Sequence, residues 1–133
     1  MAVVSRRRPN LELAKCLAGD GVGASVYVSG DRVGGFLQVA TADPSDRLKM
    51  PAVGMIIQKV DSTTCVVQTE GNVDGVYSGL TPGELLFVGD GGGLDDEMPS
   101  PGPGPRYVQA IGVSLGSDIL RLEPNIMMTR RRA

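Results

Sequence analysis

The sequence predicts an all-β domain, a small β-barrel or β-sandwich of about eight short strands in two related halves. Three observations predict it: an abundance of turn residues, apolar segments of strand length, and an internal echo. Nineteen glycines and nine prolines, with no Trp, favour short strands joined by turns over long helices. A chain of 133 residues is one domain with a modest core.

The elements follow in order. "LELAKCLA" (11–18) carries good helix formers and ends at Gly19, so one or two turns of helix are expected there. "ASVYVSG" (24–30) alternates apolar and small polar residues and reads as a strand closed by the turn "SGD", with "GGFLQVAT" (34–41) as its hairpin partner. "ADPSDRLKMP" (42–51) is a loop. "AVGMIIQKV" (52–60) and "TCVVQTEG" (64–71) form a hairpin around "DSTT". The chain then turns through "NVDGVYSGLTPGE" (72–84), where Pro82-Gly83 suits a type II turn. "ELLFVGD" (84–90) is a strand. The segment 89–105 is rich in Gly, Pro and acid, and is expected to be an exposed, mobile loop. "YVQAIGVSL" (107–115) and "DILRLEP" (118–124) close the domain as a hairpin turning at Gly116-Ser117.

The echo lies in two tripeptides, Ala52-Val53-Gly54 and Ala110-Ile111-Gly112. Each leads into an apolar strand, a polar turn and a second apolar strand. Val26-Tyr27-Val28 likewise matches Leu86-Phe87-Val88, so two landmarks recur in the same order. The physical reading is a duplicated unit of three or four strands, each copy covering the apolar face of the other. The glycines after Val53 and Ile111 are expected where a strand bends or another backbone comes close.

Charge is divided unevenly. Residues 1–19 carry Arg6, Arg7, Arg8 and Lys15 against Glu12, and residues 126–133 carry Arg130, Arg131 and Arg132, each segment being +3. The body, 20–125, holds fourteen acids against six bases, giving −8. The expected organisation is therefore a basic N-terminal arm over 1–19, a β domain over 20–125 with halves at about 24–71 and 84–124, and a basic tail over 126–133.

Several chemistries are disfavoured. The chain has no His, the commonest general base and metal ligand. Cys16 and Cys65 are too far apart for a CxxC motif and are expected to be reduced thiols. "GDGGG" (89–93) lacks the Lys and Ser/Thr of a phosphate loop. The acids around it match no calcium-loop spacing, although a glycine loop with hard oxygen ligands is the place to look for one. Asp43 and Asp46 flank Pro44 with nothing evident to hold them for acid–base work. No enzyme activity and no cofactor are expected. No apolar run approaches a membrane span, and the start "MAVVSRRRPN" is the wrong order for a signal peptide. Synthesis in a reducing cytoplasm fits.

Arg6, Arg7, Arg8, Arg130, Arg131 and Arg132 read either as solvated tails or as arms that anchor on a partner, since a guanidinium pairs with carboxylate or phosphate through a planar fork. Nucleic acid is a poor fit, because the acidic body would repel a polyanion. A protein partner is the better one.

The segments "SVYVSGDRVGGFLQVATADPSDRLKMPAVGMIIQKVDSTTCVVQTEGNVDGVYSGLTPGELLFVGDGGGL" and "YVQAIGVSLGSDILRLEP" resemble the small β-domains of tailed-bacteriophage virion proteins. The resemblance covers about residues 20–125 and lies in turn glycines and apolar strands, such as "KMPAVG", "GLTPGE" and "IGVSLG". It implies a structural protein of the virion, made in the host cytoplasm. The leading expectation is a capsid decoration (cement) protein that binds the major capsid protein of the assembled head as a homo-oligomer, a trimer. The alternative is a tail or fibre module that binds a receptor or glycan through Asp95, Asp96 and Glu97, or a tail-side adaptor. The arginine segments are not part of the shared pattern.

Overall fold

The computed structural model describes residues 10–98 and 105–125, together with the backbone of residues 129–131. Among these residues, strands dominate and no helix exceeds a single 3-10 turn, so the all-β expectation holds. The strands are β1 (Asn10–Lys15), β2 (Ser25–Val33), β3 (Phe36–Thr41), β4 (Gly54–Asp61), β5 (Thr64–Asp74), β6 (Leu85–Val88), β7 (Leu94–Asp95), β8 (Arg106–Val108), β9 (Ala110–Ser114), β10 (Ile119–Leu122) and β11 (Thr129–Arg131).

Five of them close a barrel. β1 runs parallel to β3 and antiparallel to β5, which completes the circuit β1-β3-β2-β4-β5-β1. Ala14, Cys16, Val26, Val39, Ile56, Cys65 and Val67 fill its interior. A larger cluster, including Met55, Val73, Leu86, Val88, Ile111, Leu120 and Leu122, packs the second half against the first. Tyr27 and Ile57 of the barrel strands flank it.

The strand order is palindromic. β3-β2-β4-β5 is followed across the sheet by β10-β9-β6-β7, so β2, β3, β4 and β5 correspond to β6, β7, β9 and β10. Register confirms this pair by pair. Val26 faces Gly54 and Ser25 faces Met55; Leu86 faces Gly112 and Leu85 faces Val113. Tyr27 faces Ala40, as Phe87 faces Asp95. Gly23 N–H donates to Ile56 O at 2.7 Å and Gly83 N–H to Ser114 O at 2.7 Å, and both glycines have positive φ. The repeat seen in the sequence thus recurs in the strand pairings, and the two sets of strands meet where β5 pairs antiparallel with β10.

The two echoed glycines are places of close backbone approach, as expected. A Cβ on Gly54 would strike the carbonyl oxygen of Gln68, and one on Gly112 that of Arg121. In both copies the A-β-G strand lies hard against its closing strand.

Four expectations need correction. Residues 11–18 form no helix: 10–15 are β1. Ala14 and Cys16 point into the barrel and Leu11 and Leu13 out, a period of two, and β3 and β5 supply backbone partners that outweigh helix propensity. The first hairpin turns at Gly34-Gly35, both at positive φ, while Gly30 of the "SGD" segment sits at a register shift inside β2. The loop expected from 89 begins as ordered structure: Asp90–Gly92 is a 3-10 turn, Gly92 is buried, and Leu94–Asp95 pairs with β6. Residues 99–104 of that loop lie outside the described residues. β5 also extends through Asp74, where the sequence suggested a turn, because 71–74 pair with β10 and join the halves.

Candidate functional site

The sequence singled out two basic ends and one acidic loop. Arg6, Arg7, Arg8 and Arg132 lie outside the described residues. The backbone of Arg130 and Arg131 belongs to β11, opposite Tyr107 and Arg106 of β8, so this part of the C-terminal tail is laid on the domain rather than extended from it. Asn10–Lys15, assigned above to the N-terminal arm, is a stave of the barrel.

Asp95 lies in β7, and its Oδ1 accepts the Glu97 N–H at 3.1 Å. Asp95 and Asp96 line a pocket of about 200 Å³ with Glu84, above Leu80, Leu86 and Leu94. Glu97 does not line it. Among the described residues no three acidic or thiol ligands converge to hold a metal ion. Asp43 and Asp46, read as unsupported, are in fact held as turn formers. Asp43 accepts from Ser45 N–H and Oγ–H at 2.9 and 2.6 Å, and these bonds hold its carboxyl below the usual carboxylate range. Asp46 caps the turn Arg47–Lys49 through Leu48 N–H.

Both halves are acidic. Residues 10–74, which supply the barrel strands, carry eight acids and five bases, a net −3, and 75–125 carry seven acids and two bases, a net −5. The second unit is the more negative.

Sequence reading missed an apolar stripe on the barrel's outer wall. Leu11 and Leu13 are 54% and 52% exposed. Leu13 faces the half-buried Val66 across the strand pair, and Lys15 lies over the Phe36 ring at 4.9 Å from its centroid. Apolar residues within a supposed helix read as core. Only as a strand does the segment turn its large residues outward.

A second missed feature is a cleft of about 240 Å³ lined by Val53, Thr69, Glu70, Glu123 and Pro124. It lies where the two halves meet, and its carboxylates come from both.

Buried titratable groups serve the fold. Cys16 and Cys65 are free, buried neighbours. Burial, then a hydrogen bond with Cys16, pushes the Cys65 thiol up to about 12. Burial likewise raises Tyr77 to about 12, and its hydroxyl donates to Gly23 O. The sign follows from linkage: a group whose pKa is raised on folding gives stability that is complete below its unfolded value and lost as pH rises through the folded one. With ordinary values of 9.0 and 10.0, the protein should lose stability progressively above about pH 9. Melting temperatures between pH 8 and 11 would show this, and a Cys65→Ala, Tyr77→Phe double variant should give a flatter profile.

Comparison with protein-family models, curated proteins and solved structures finds no match.

Proposed function

We propose that the chain is a structural protein of a tailed-bacteriophage virion, a decoration protein that binds the major capsid protein of the assembled head as a homotrimer. The observation that carries this reading is the stripe of Leu11 and Leu13, half-exposed on the barrel wall and reached by the chain directly after Arg6, Arg7 and Arg8. An exposed apolar patch is a surface that a protein partner can cover, and the arginines that precede it in the sequence can pair with acidic groups of such a partner. The residues that carry the phage resemblance support a scaffold role. Gly54 and Gly112 set strand approach and Gly83 sets a turn, so recognition falls to the outer surface. A symmetric lattice then multiplies a modest contact through avidity.

The test is the copy number of the chain relative to the shell protein in purified particles, by quantitative mass spectrometry. A number comparable to the shell protein supports the reading. Deleting residues 1–9, or the pair Leu11→Ser and Leu13→Ser, should then lower head occupancy at least tenfold while the isolated domain keeps its β circular-dichroism spectrum. Absence from particles would sink the proposal.

One observation favours a second reading. The pocket beneath Glu84, Asp95 and Asp96 offers carboxylates above an apolar floor, suited to a receptor or glycan at a tail or fibre tip. A copy number of a few per particle, with adsorption lost on Asp95→Ala and Asp96→Ala, would move the protein there.

A further inference from the structure

The loop between β3 and β4 ends in a presented side chain. Leu48 is 77% exposed, more than any other large apolar residue described, and Arg47 and Lys49, both exposed, flank it. The tip is held stiffly. Asp46 Oδ1 accepts the Leu48 N–H at 3.0 Å and Asp46 O the Lys49 N–H at 3.0 Å, while Asp43 N–H donates to Lys49 O at 3.2 Å. Buried Ala42, Pro44 and Met50 anchor the loop. An apolar side chain already fixed outward loses little conformational freedom when a partner covers it.

The pocket of Glu84, Asp95 and Asp96 has the complementary pattern, with carboxylates around Leu80, Leu86 and Leu94 in a cavity of about 200 Å³. Among the described residues, neither Arg47 and Lys49 nor these three acids form a salt bridge within the chain. A leucine between two cations and a leucine-lined hollow among three anions are thus both present, and neither finds its partner in the same molecule. We propose that the tip docks in the pocket of a second copy of this chain, with Leu48 against the three leucines and Arg47 and Lys49 paired with Glu84 and Asp96. Buried apolar area supplies the affinity, and the charges set the orientation. Tip and pocket are different surfaces, so the contact is head-to-tail and propagates until rotation closes a ring. The inference rests on the homotrimer reading above, for which it supplies the interface, and it leaves Leu11 and Leu13 free for the shell.

The experiment uses the full chain. Sedimentation velocity over a concentration series measures self-association. An equal mixture of unlabelled and heavy-isotope chains is also treated with a water-soluble carbodiimide, which joins an amine to a carboxylate in direct contact, and the links are mapped by mass spectrometry. The expected product joins Lys49 of one isotope form to Glu84, Asp95 or Asp96 of the other. Leu48→Ser should weaken association at least about tenfold. Arg47→Glu with Lys49→Glu should also weaken it, in an effect that fades in 1 M salt, and so should Glu84→Lys with Asp96→Lys. The two charge reversals combined in one chain should restore association to within about threefold of the parent. None of these five side chains is buried, so each variant should keep the parent's circular-dichroism spectrum. A monomer at every concentration, links only within single chains, or no recovery in the combined reversal would each overturn the proposal. Association that ignores Leu48→Ser overturns this interface alone, whereas absence from purified particles overturns the head reading and leaves the interface standing.

Discussion

Gly112→Ala should cost about 3 kcal/mol or more, and Gly54→Ala the same, because a methyl group at either place meets the backbone of a paired strand rather than a yielding side chain. At Gly112 the obstacle is the carbonyl of Arg121, with Leu120 beside it; at Gly54 it is the carbonyl of Gln68, with Val67 beside it. Neither carbonyl can withdraw without opening its hairpin. Urea denaturation of the two variants should show midpoints well below the parent. Gly116→Ala is the control: nothing lies within 4 Å of a Cβ there, and its midpoint should move by no more than the equivalent of about 0.5 kcal/mol. Equal tolerance at all three positions would show that the close approach does not govern stability. Similar losses at 54 and 112 would demonstrate the repeat in energetic terms.

The second large effect is expected at Gln109, which is 1% exposed. Its side chain acts as a short piece of strand. Oε1 accepts the Ala52 N–H at 2.8 Å and Nε2 donates to the Ala52 carbonyl at 2.7 Å. One side chain of the second half thus satisfies both backbone groups of a residue in the first. Gln109→Leu keeps the volume and leaves a buried donor and a buried acceptor without partners, at about 3 kcal/mol for the two. Gln58→Leu, at an exposed site, should shift the midpoint by less than about 0.5 kcal/mol. A Gln109→Leu protein as stable as the parent would mean that other groups replace the amide.

What could be read in advance was what neighbouring residues settle among themselves. The hairpins around residues 61–64 and 116–117 were legible because apolar runs end in polar turns. The need for glycine after Val53 and Ile111 was legible because the pattern occurred twice. β1 was not. In "LELAKC" the small residues Ala14 and Cys16 face inward and the leucines outward, since the interior of so narrow a barrel is already filled by other strands. The usual rule that large apolar residues mark the core therefore points the wrong way. β7 was hidden by its length of two residues among Gly and Asp. The Glu70–Glu123 cleft had no local signal, because strand pairing alone brings residues from opposite ends of the sequence together. Of the residues singled out, Asp95 and Asp96 share a pocket, while Glu84, its third acid, comes from the preceding strand segment and was not foreseen.

The palindrome is incomplete at one place: among the described residues the second unit has no stave equivalent to β1. During synthesis this gives the two copies different histories. Once Asp74 has left the ribosome, every strand of the closed barrel is available, and domains generally acquire structure from the N-terminal side as they emerge. The later copy never has to close a circuit of its own. It is received by a finished neighbour, with Val73 and Asp74 of β5 waiting as an open edge for Leu120 and Ile119. One copy is the template and the other its dependent, although both began from the same plan.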